Sequence, residues 1–238
     1  MSWTDNKAIE QMKLLRDEFQ IKNLIETGSF KGINAELHIH NFVTVTTIES
    51  NYANYKIVKN RIDQFTGIRA VCDCSWDYLN FCRIYYPDYF TNSMLYLDAH
   101  FFNPSASNED RWVVVKELKA LKGVRDCIII IHDFKCSGLG HLIYDGEALD
   151  WSVVNKYLYE VNSNFHFYVN TREHCDINTE ETVHNLPITV NEDVIDAIRF
   201  VNSSDVKRYR GILYAVPREL DLVIYDLIEF NRLSPRGN

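Results

Sequence analysis

The stretch RDCIIIIHDF (residues 125–134) sets Cys127 and four successive isoleucines between charged ends. A strand without a polar position has no face to offer water, so it must be covered on both sides. Four short strand-like runs lead up to it: KNLIE ending at Glu26, FVTVTTIE (42–49), GIRAVCDC (67–74) and SMLYLDAHFF (93–102). Helical stretches fall between them at 30–40, 54–65 and 75–84, and in EDRWVVVKELKALKG, where Gly123 caps the end. Five strands alternating with helices specify an α/β fold: a doubly wound, mostly parallel sheet with helices on both faces, Rossmann-like.

The flanks fit the same single domain, spanning 1–238. Ile9, Met12, Leu15 and Phe19 recur at helical spacing, so residues 1–20 form an N-terminal helix. Beyond the fifth strand, 151–161 reads as a helix and 164–170 as a strand. Residues 171–190 read as polar loop, 191–202 as a helix and 211–217 as the last core strand. Residues 171–210 thus form an insertion before that strand, a candidate for acceptor specificity or a homodimer contact.

Net charge of −8 counts against a nucleic-acid partner, which needs a basic footprint. VKRYRG (206–211) is the best local basic patch and reads first as a solvated helix end. No apolar run reaches the roughly 18 residues of a membrane helix. The N-terminus is charged and amphipathic rather than a signal peptide, which makes the cytoplasm the expected location, with no membrane partner. The six cysteines show no zinc-ribbon spacing and read as reduced, mostly buried thiols.

Between the first strand and the first crossover helix lies ETGSFKG (26–32). Glycines here allow positive φ and close backbone approach. The spacing fits neither phosphate motif. Threading G-x-G-x-x-G with Gly28 as its second glycine puts Glu26 and Lys31 at the other glycine positions, and Gly32 is followed by Ile33 instead of Lys-Ser/Thr. Glu26 would also repel phosphates. Glu49 ends the next strand, 21 residues after Gly28, the offset at which an acid binds ribose hydroxyls in doubly wound folds. Two acids around a bent glycine turn suit a nucleoside with an ammonium tail and no pyrophosphate, a description met by S-adenosylmethionine.

With LYLDAHFF and IIIIHDFKCSG, these residues resemble the class I S-adenosylmethionine-dependent methyltransferases over about residues 20–170. The small-molecule O-methyltransferases of the catechol and macrocin types are most similar. The resemblance implies that Glu26, Thr27, Gly28, Ser29 and Gly32 hold the methionine end and that Glu49, with Ser50, holds the ribose. It implies that Asp73, Cys74 and Ser75, with Trp76, flank the adenine, and that Asp98 borders the methyl donor.

Asp98 and His100 end the fourth strand, and His132 and Asp133 end the fifth, so in a parallel sheet all four open on one edge. Such a cluster can hold a divalent metal, act as a general base or satisfy itself. By resemblance Asp98 and Asp133 match magnesium ligands, with His132 where the macrocin type has a second acid. Two carboxylates and two imidazoles suit manganese, iron or zinc better than magnesium. Without metal, His100 or His132, near neutral pKa, would take the acceptor's proton beside Asp98.

The expected activity is methyl transfer from S-adenosylmethionine to a hydroxyl of a small molecule, a sugar or a biosynthetic intermediate. Two alternatives stand beside it. One is a nucleic-acid or protein acceptor, against which the charge and the missing N-P-P-Y motif count. The other is a non-catalytic binding subunit. Tyrosines and phenylalanines of RIYYPDYF (83–90), and His141 and Tyr144 in the loop with Gly138 and Gly140, are further candidates for acceptor contact; packing is the commoner use of such aromatics.

Overall fold

Strand order explains why polar residues collect at one edge. The computed structural model describes residues 6–100, 105–106, 110–136, 141, 143–144, 146–170, 211–225 and 227–229. In chain order these form α1 (Asn6–Glu18), β1 (Asn23–Thr27), α2 (Ile33–His38), β2 (Thr44–Glu49), α3 (Tyr52–Ile62), β3 (Ile68–Cys72) and α4 (Ser75–Tyr85). A 3₁₀ turn (Pro87–Phe90) leads into β4 (Ser93–Leu97), followed by α5 (Val113–Ala120) and β5 (Cys127–Ile131). Then come the small hairpin β6 (Ile143–Tyr144) and β7 (Glu147–Ala148), α6 (Trp151–Val161), β8 (His166–Val169), β9 (Leu213–Val216), α7 (Leu222–Tyr225) and β10 (Ile228–Glu229).

Eight strands make one sheet in the order β10-β8-β9-β5-β4-β1-β2-β3. The five strands β3-β2-β1-β4-β5 are parallel, and β9 runs antiparallel to both β5 and β8. This is the doubly wound sheet expected, closed at one side by antiparallel strands. The order of strand addition reverses between β1 and β4, which places a crevice at their carboxyl ends.

The isoleucines of β5 show why cover is needed on both faces. Ile129 and Ile131 enter one core with α4, α5 and α6, while Ile128 and Ile130 enter the other with α1 and α2. Successive side chains of a strand point to opposite faces, so an all-apolar run feeds two cores at once. Each buried isoleucine contributes about 1.5–3 kcal/mol by leaving water.

Several boundaries differ from the sequence reading. β4 stops at Leu97, so Asp98 and His100 lie just past the strand; β5 stops at Ile131, and His132 and Asp133 form a turn. Of the cysteines, Cys82, Cys127 and Cys136 are buried, Cys74 is half-buried and Cys72 is exposed. Cys72 ends β3, which among the described residues is the outer strand of the sheet. Residues 171–210, with the expected loop and helix, and residues 1–5 lie outside the described residues. Among the described residues no helix is long and apolar enough to cross a membrane.

Candidate active site

The β1–α2 loop holds its shape through alternating left-handed residues: Gly28 at φ 76°, Phe30 at 50° and Gly32 at 76°. Such a backbone turns successive N–H groups inward, a cradle that elsewhere takes anions. Here the cradle is already engaged by β2. Gly28 N–H and Ser29 N–H donate to the Ile48 carbonyl at 2.9 and 3.2 Å, Gly32 N–H donates to Ser29 O at 2.7 Å, and Phe30 N–H donates to Glu49 Oε2 at 2.8 Å. Glu49, from the end of β2, thus takes up a backbone N–H that a phosphate cradle would offer its ligand. The second Glu49 oxygen accepts from Asn51 N–H at 2.8 Å, and the Asn51 side chain caps α3.

Glu26 lies deeper, only 2% exposed. Asn34 Nδ2 donates to its Oε1 at 2.8 Å and Thr47 Oγ1 donates to its Oε2 at 2.5 Å. Ser29 Oγ stands 2.5 Å from Thr47 Oγ1, which completes a short hydroxyl chain. Burial pushes the Glu26 carboxyl up to about 8; the hydrogen bonds from Thr47 and Asn34 oppose this, and the charges of Asp98 and Glu49 add to it. Glu26, Gly28, Ser29, Phe30, Lys31, Ile33, Asn34 and Asp98 line one cleft.

Across the crevice the acids have company. His132 Nδ1 donates to Asp98 Oδ1 at 2.6 Å. His100 Nε2 lies 2.6 Å from the same oxygen and 3.2 Å from Asp133 Oδ2. One ligand atom from each of Asp98, His100, His132 and Asp133 falls within 4.8 Å of the others. Asp133 takes φ 58°, an uncommon backbone for a non-glycine residue and one that turns its carboxylate into the group.

The charge belongs to His100. Burial lowers its pKa, but Asp133 and Asp98 beside it raise it to about 10. His132 is wholly buried and burial lowers its pKa, against the charges of Asp133 and Asp98; its Nδ1 lies 2.6 Å from Asp98 Oδ1. Burial raises both aspartates, but His132 and His100 outweigh it and hold Asp98 and Asp133 below the usual carboxylate range. The near-neutral imidazoles expected from sequence are therefore not what the fold makes: the two acids shift His100 up and burial shifts His132 down.

Both imidazole Nε2 atoms are buried and turned toward carboxylates, that of His100 toward Asp98 and Asp133 and that of His132 toward Asp133 Oδ1 at 3.7 Å. Four donor atoms that converge in this way, two nitrogens and two carboxylate oxygens, fit a divalent cation of borderline hardness. Displacing the His100 proton would accompany its binding.

The two halves touch at Gly28. A Cβ there would lie 2.5 Å from the Asp98 carbonyl oxygen and 2.8 Å from Ala99 Cα. The close approach that requires this glycine is made by the chain itself, at the exit of β4. Thr27, expected to hold cofactor, points to the opposite face, where its Oγ1 accepts from Asp98 N–H at 3.2 Å. Ser75 is likewise buried and faces α5. Both hydroxyls stand near Glu117, whose fully buried carboxylate oxygens make no hydrogen bond of good geometry. Burial pushes Glu117 up to about 7 against the pull of Ser75 and Thr27.

The remaining expected residues divide. Asp73 folds back to accept from Cys74 N–H at 2.8 Å and its own N–H donates to Glu49 O, so this turn abuts Glu49 without lining the Glu26 cleft. Ser50 is exposed beside Glu49, and His141 is half-buried. Gly138 and Gly140 lie outside the described residues, as does the Tyr144 side chain. RIYYPDYF is placed away from the site: α4 runs back from the carboxyl edge, so the turn at Pro87–Phe90 enters β4 from the amino edge.

Sequence reasoning passed over Asn34, Thr47 and Glu117. Thr47 pairs with Glu26 across β1 and β2, and an inward threonine beside an inward acid was a usable signal. Glu117 interrupts the buried stripe of Val113, Val114, Leu118 and Leu121, where a carboxylate is out of place.

No family model and no curated protein sequence matches the chain. Among solved structures, an O-methyltransferase from Bacillus cereus in complex with S-adenosylhomocysteine is 12% identical, with 86% of this chain and 78% of that chain covered and a TM-score of 0.42. A SAM-dependent methyltransferase from Aquifex aeolicus is 14% identical, with 86% and 88% covered and a TM-score of 0.48. The O-methyltransferase TomG from Streptomyces achromogenes, involved in tomaymycin synthesis, is 12% identical, with 86% and 77% covered and a TM-score of 0.42. At such identities the active-site reading rests on this chain's own residues.

Proposed function

We propose that the chain is an S-adenosylmethionine-dependent methyltransferase acting on a hydroxyl of a small molecule, such as a sugar or a biosynthetic intermediate. The observation that carries this reading is the pairing of two unlike acid sites at the switch point. One is a buried Glu26 held by neutral donors, beside a Glu49 fixed by two backbone N–H groups. The other is a carboxylate–imidazole cluster in contact with it through Gly28 and Asp98.

Glu26 and Asn34 would receive the ammonium end, and Glu49, fixed by two backbone N–H groups, would accept from the ribose hydroxyls. The sulfonium is already activated, so the chain's main task is alignment of acceptor oxygen, methyl carbon and sulfur. Asp98, His100, His132 and Asp133 would hold a divalent cation, which when bound makes a nearby hydroxyl more acidic. His132 would act from within, its Nδ1–H holding Asp98 in orientation. His100, more exposed than His132, would face the acceptor.

Thermal unfolding with S-adenosylmethionine and S-adenosylhomocysteine tests the cofactor. A ligand held by the native state alone raises the midpoint by mass action, so saturating concentrations are expected to raise it by several degrees. No shift and no calorimetric binding would end this reading.

A further inference from the structure

Glu26 poses a problem that the cofactor reading does not solve by itself. It is an acid enclosed by the protein, with two more acids facing it and, among the described residues, no cation in hydrogen-bond contact with its carboxyl. The titratable groups turned toward it are Glu49 from β2 and Asp98 and Tyr96 from β4, and none of the three supplies a positive charge. Asn34 from α2 brings an amide and Thr47 from β2 a hydroxyl, neither of them charged. Lys31 lines the same cleft, with its ammonium 5.7 Å from the Phe30 ring centroid. An ionised carboxylate in that setting is costly, and a group so placed adopts its neutral form.

The hydroxyl chain gives such a proton a way out. Glu26 Oε2, Thr47 Oγ1 and Ser29 Oγ are linked by two steps of 2.5 Å each, and Ser29 lines the cleft. A protonated Glu26 can donate to Thr47, which turns its own proton toward Ser29. An ionised Glu26 reverses the chain, so that Thr47 donates to Glu26. Both directions are satisfied without moving a heavy atom.

We propose that Glu26 admits the amino-acid tail of the cofactor by exchange, giving up a proton through Thr47 and Ser29 as the ligand's ammonium group docks against it. The balance is simple: the neutral carboxyl and the cationic ammonium go in, and the carboxylate–ammonium pair and one free proton come out. No other bond is made or broken. Glu26 is then a specificity-determining residue, favouring nucleosides that carry a cationic tail over those that lack one. The exchange rests on the cofactor reading above and adds a signature which that reading does not require.

The test is calorimetric titration of the full chain near pH 7 in two buffers of different ionisation enthalpy, with S-adenosylhomocysteine and with 5′-methylthioadenosine, which lacks the amino-acid tail. S-adenosylhomocysteine is expected to release about one proton per molecule bound, and methylthioadenosine none. Glu26→Gln is expected to abolish the release and to weaken S-adenosylhomocysteine by about tenfold or more, with methylthioadenosine unchanged. Thr47→Val checks the route independently and is expected to slow binding while proton release persists. Wild-type binding of S-adenosylhomocysteine with no buffer-dependent heat overturns the exchange and leaves the cofactor reading standing. Failure of both nucleosides to bind overturns the two together.

Discussion

The two sides of the crevice use the same residue type in opposite ways. On the β1–β2 side, Glu26 is buried with neutral donors and its carboxyl is pushed up to about 8. On the β4–β5 side, Asp98 is held below the ordinary range because imidazoles stand against it at 2.6 Å. One side is an acid among neutral donors and other acids, and the other contains a cation in His100. Burial alone therefore does not set the state of a carboxyl; the sign of what is buried beside it decides.

Acid-to-amide substitutions should split the two sides by sign. Asp98→Asn leaves the His100 cation with a weakened partner, and loss of one member of a buried ion pair costs about 3–5 kcal/mol. Urea unfolding of this variant near pH 7 should show that loss, and calorimetric titration with manganese or zinc should show at least a hundredfold weaker uptake than wild type. An Asp98→Asn protein as stable as the wild type would remove the ion-pair account of this cluster.

Gly28→Ala should come next, at about 3 kcal/mol, because its Cβ meets the Asp98 backbone and its φ disfavours any side chain. Both S-adenosylhomocysteine and metal should bind more weakly in this one variant. Loss of only one of the two would show that the halves are not mechanically joined.

Glu26→Gln should raise stability by about 2–3 kcal/mol near pH 8. The sign follows from the direction of the shift. The folded pKa is raised, so the native state holds a proton that the unfolded chain does not between the ordinary value of 4.5 and about 8. Stability from this group is full below the lower value and is lost as pH rises through the window. Wild-type unfolding free energy should decline across that range, and Glu26→Gln should flatten the decline. Equal slopes for the two proteins would mean that Glu26 does not titrate in that window. The smallest effect, about 1 kcal/mol, is expected for Asn34→Ala, which removes one hydrogen bond to the carboxyl; chemical denaturation near pH 7 measures it.

The architecture was legible because strand and helix periodicities are local. Each of β1 to β5 could be placed by a short apolar run, and the edge at which the polar residues emerge followed from chain direction alone. What escaped depended on register between distant segments. Nothing local says that Glu26 lies opposite Thr47, or that the neighbour of Gly28 is Asp98 rather than a ligand. The turn of Thr27 away from the cleft follows from strand alternation: Ile25 packs on the α5 side, so Thr27 must too. That step needed no structure and was passed over because the loop motif drew all its residues into one role. The imidazole pKa values were misjudged for a different reason, since the charge on His100 arises from two acids contributed by two strands.

Gly28 has a consequence beyond its own conformation. Since the missing side chain is what lets the ends of β1 and β4 touch, the gap between the two acid sites is a backbone dimension, fixed before any molecule arrives. Whatever docks on one side meets the other at a spacing already decided during folding. Much of the ordering that a reaction between two bound partners requires is then built in once per protein molecule, and need not be supplied again at every turnover.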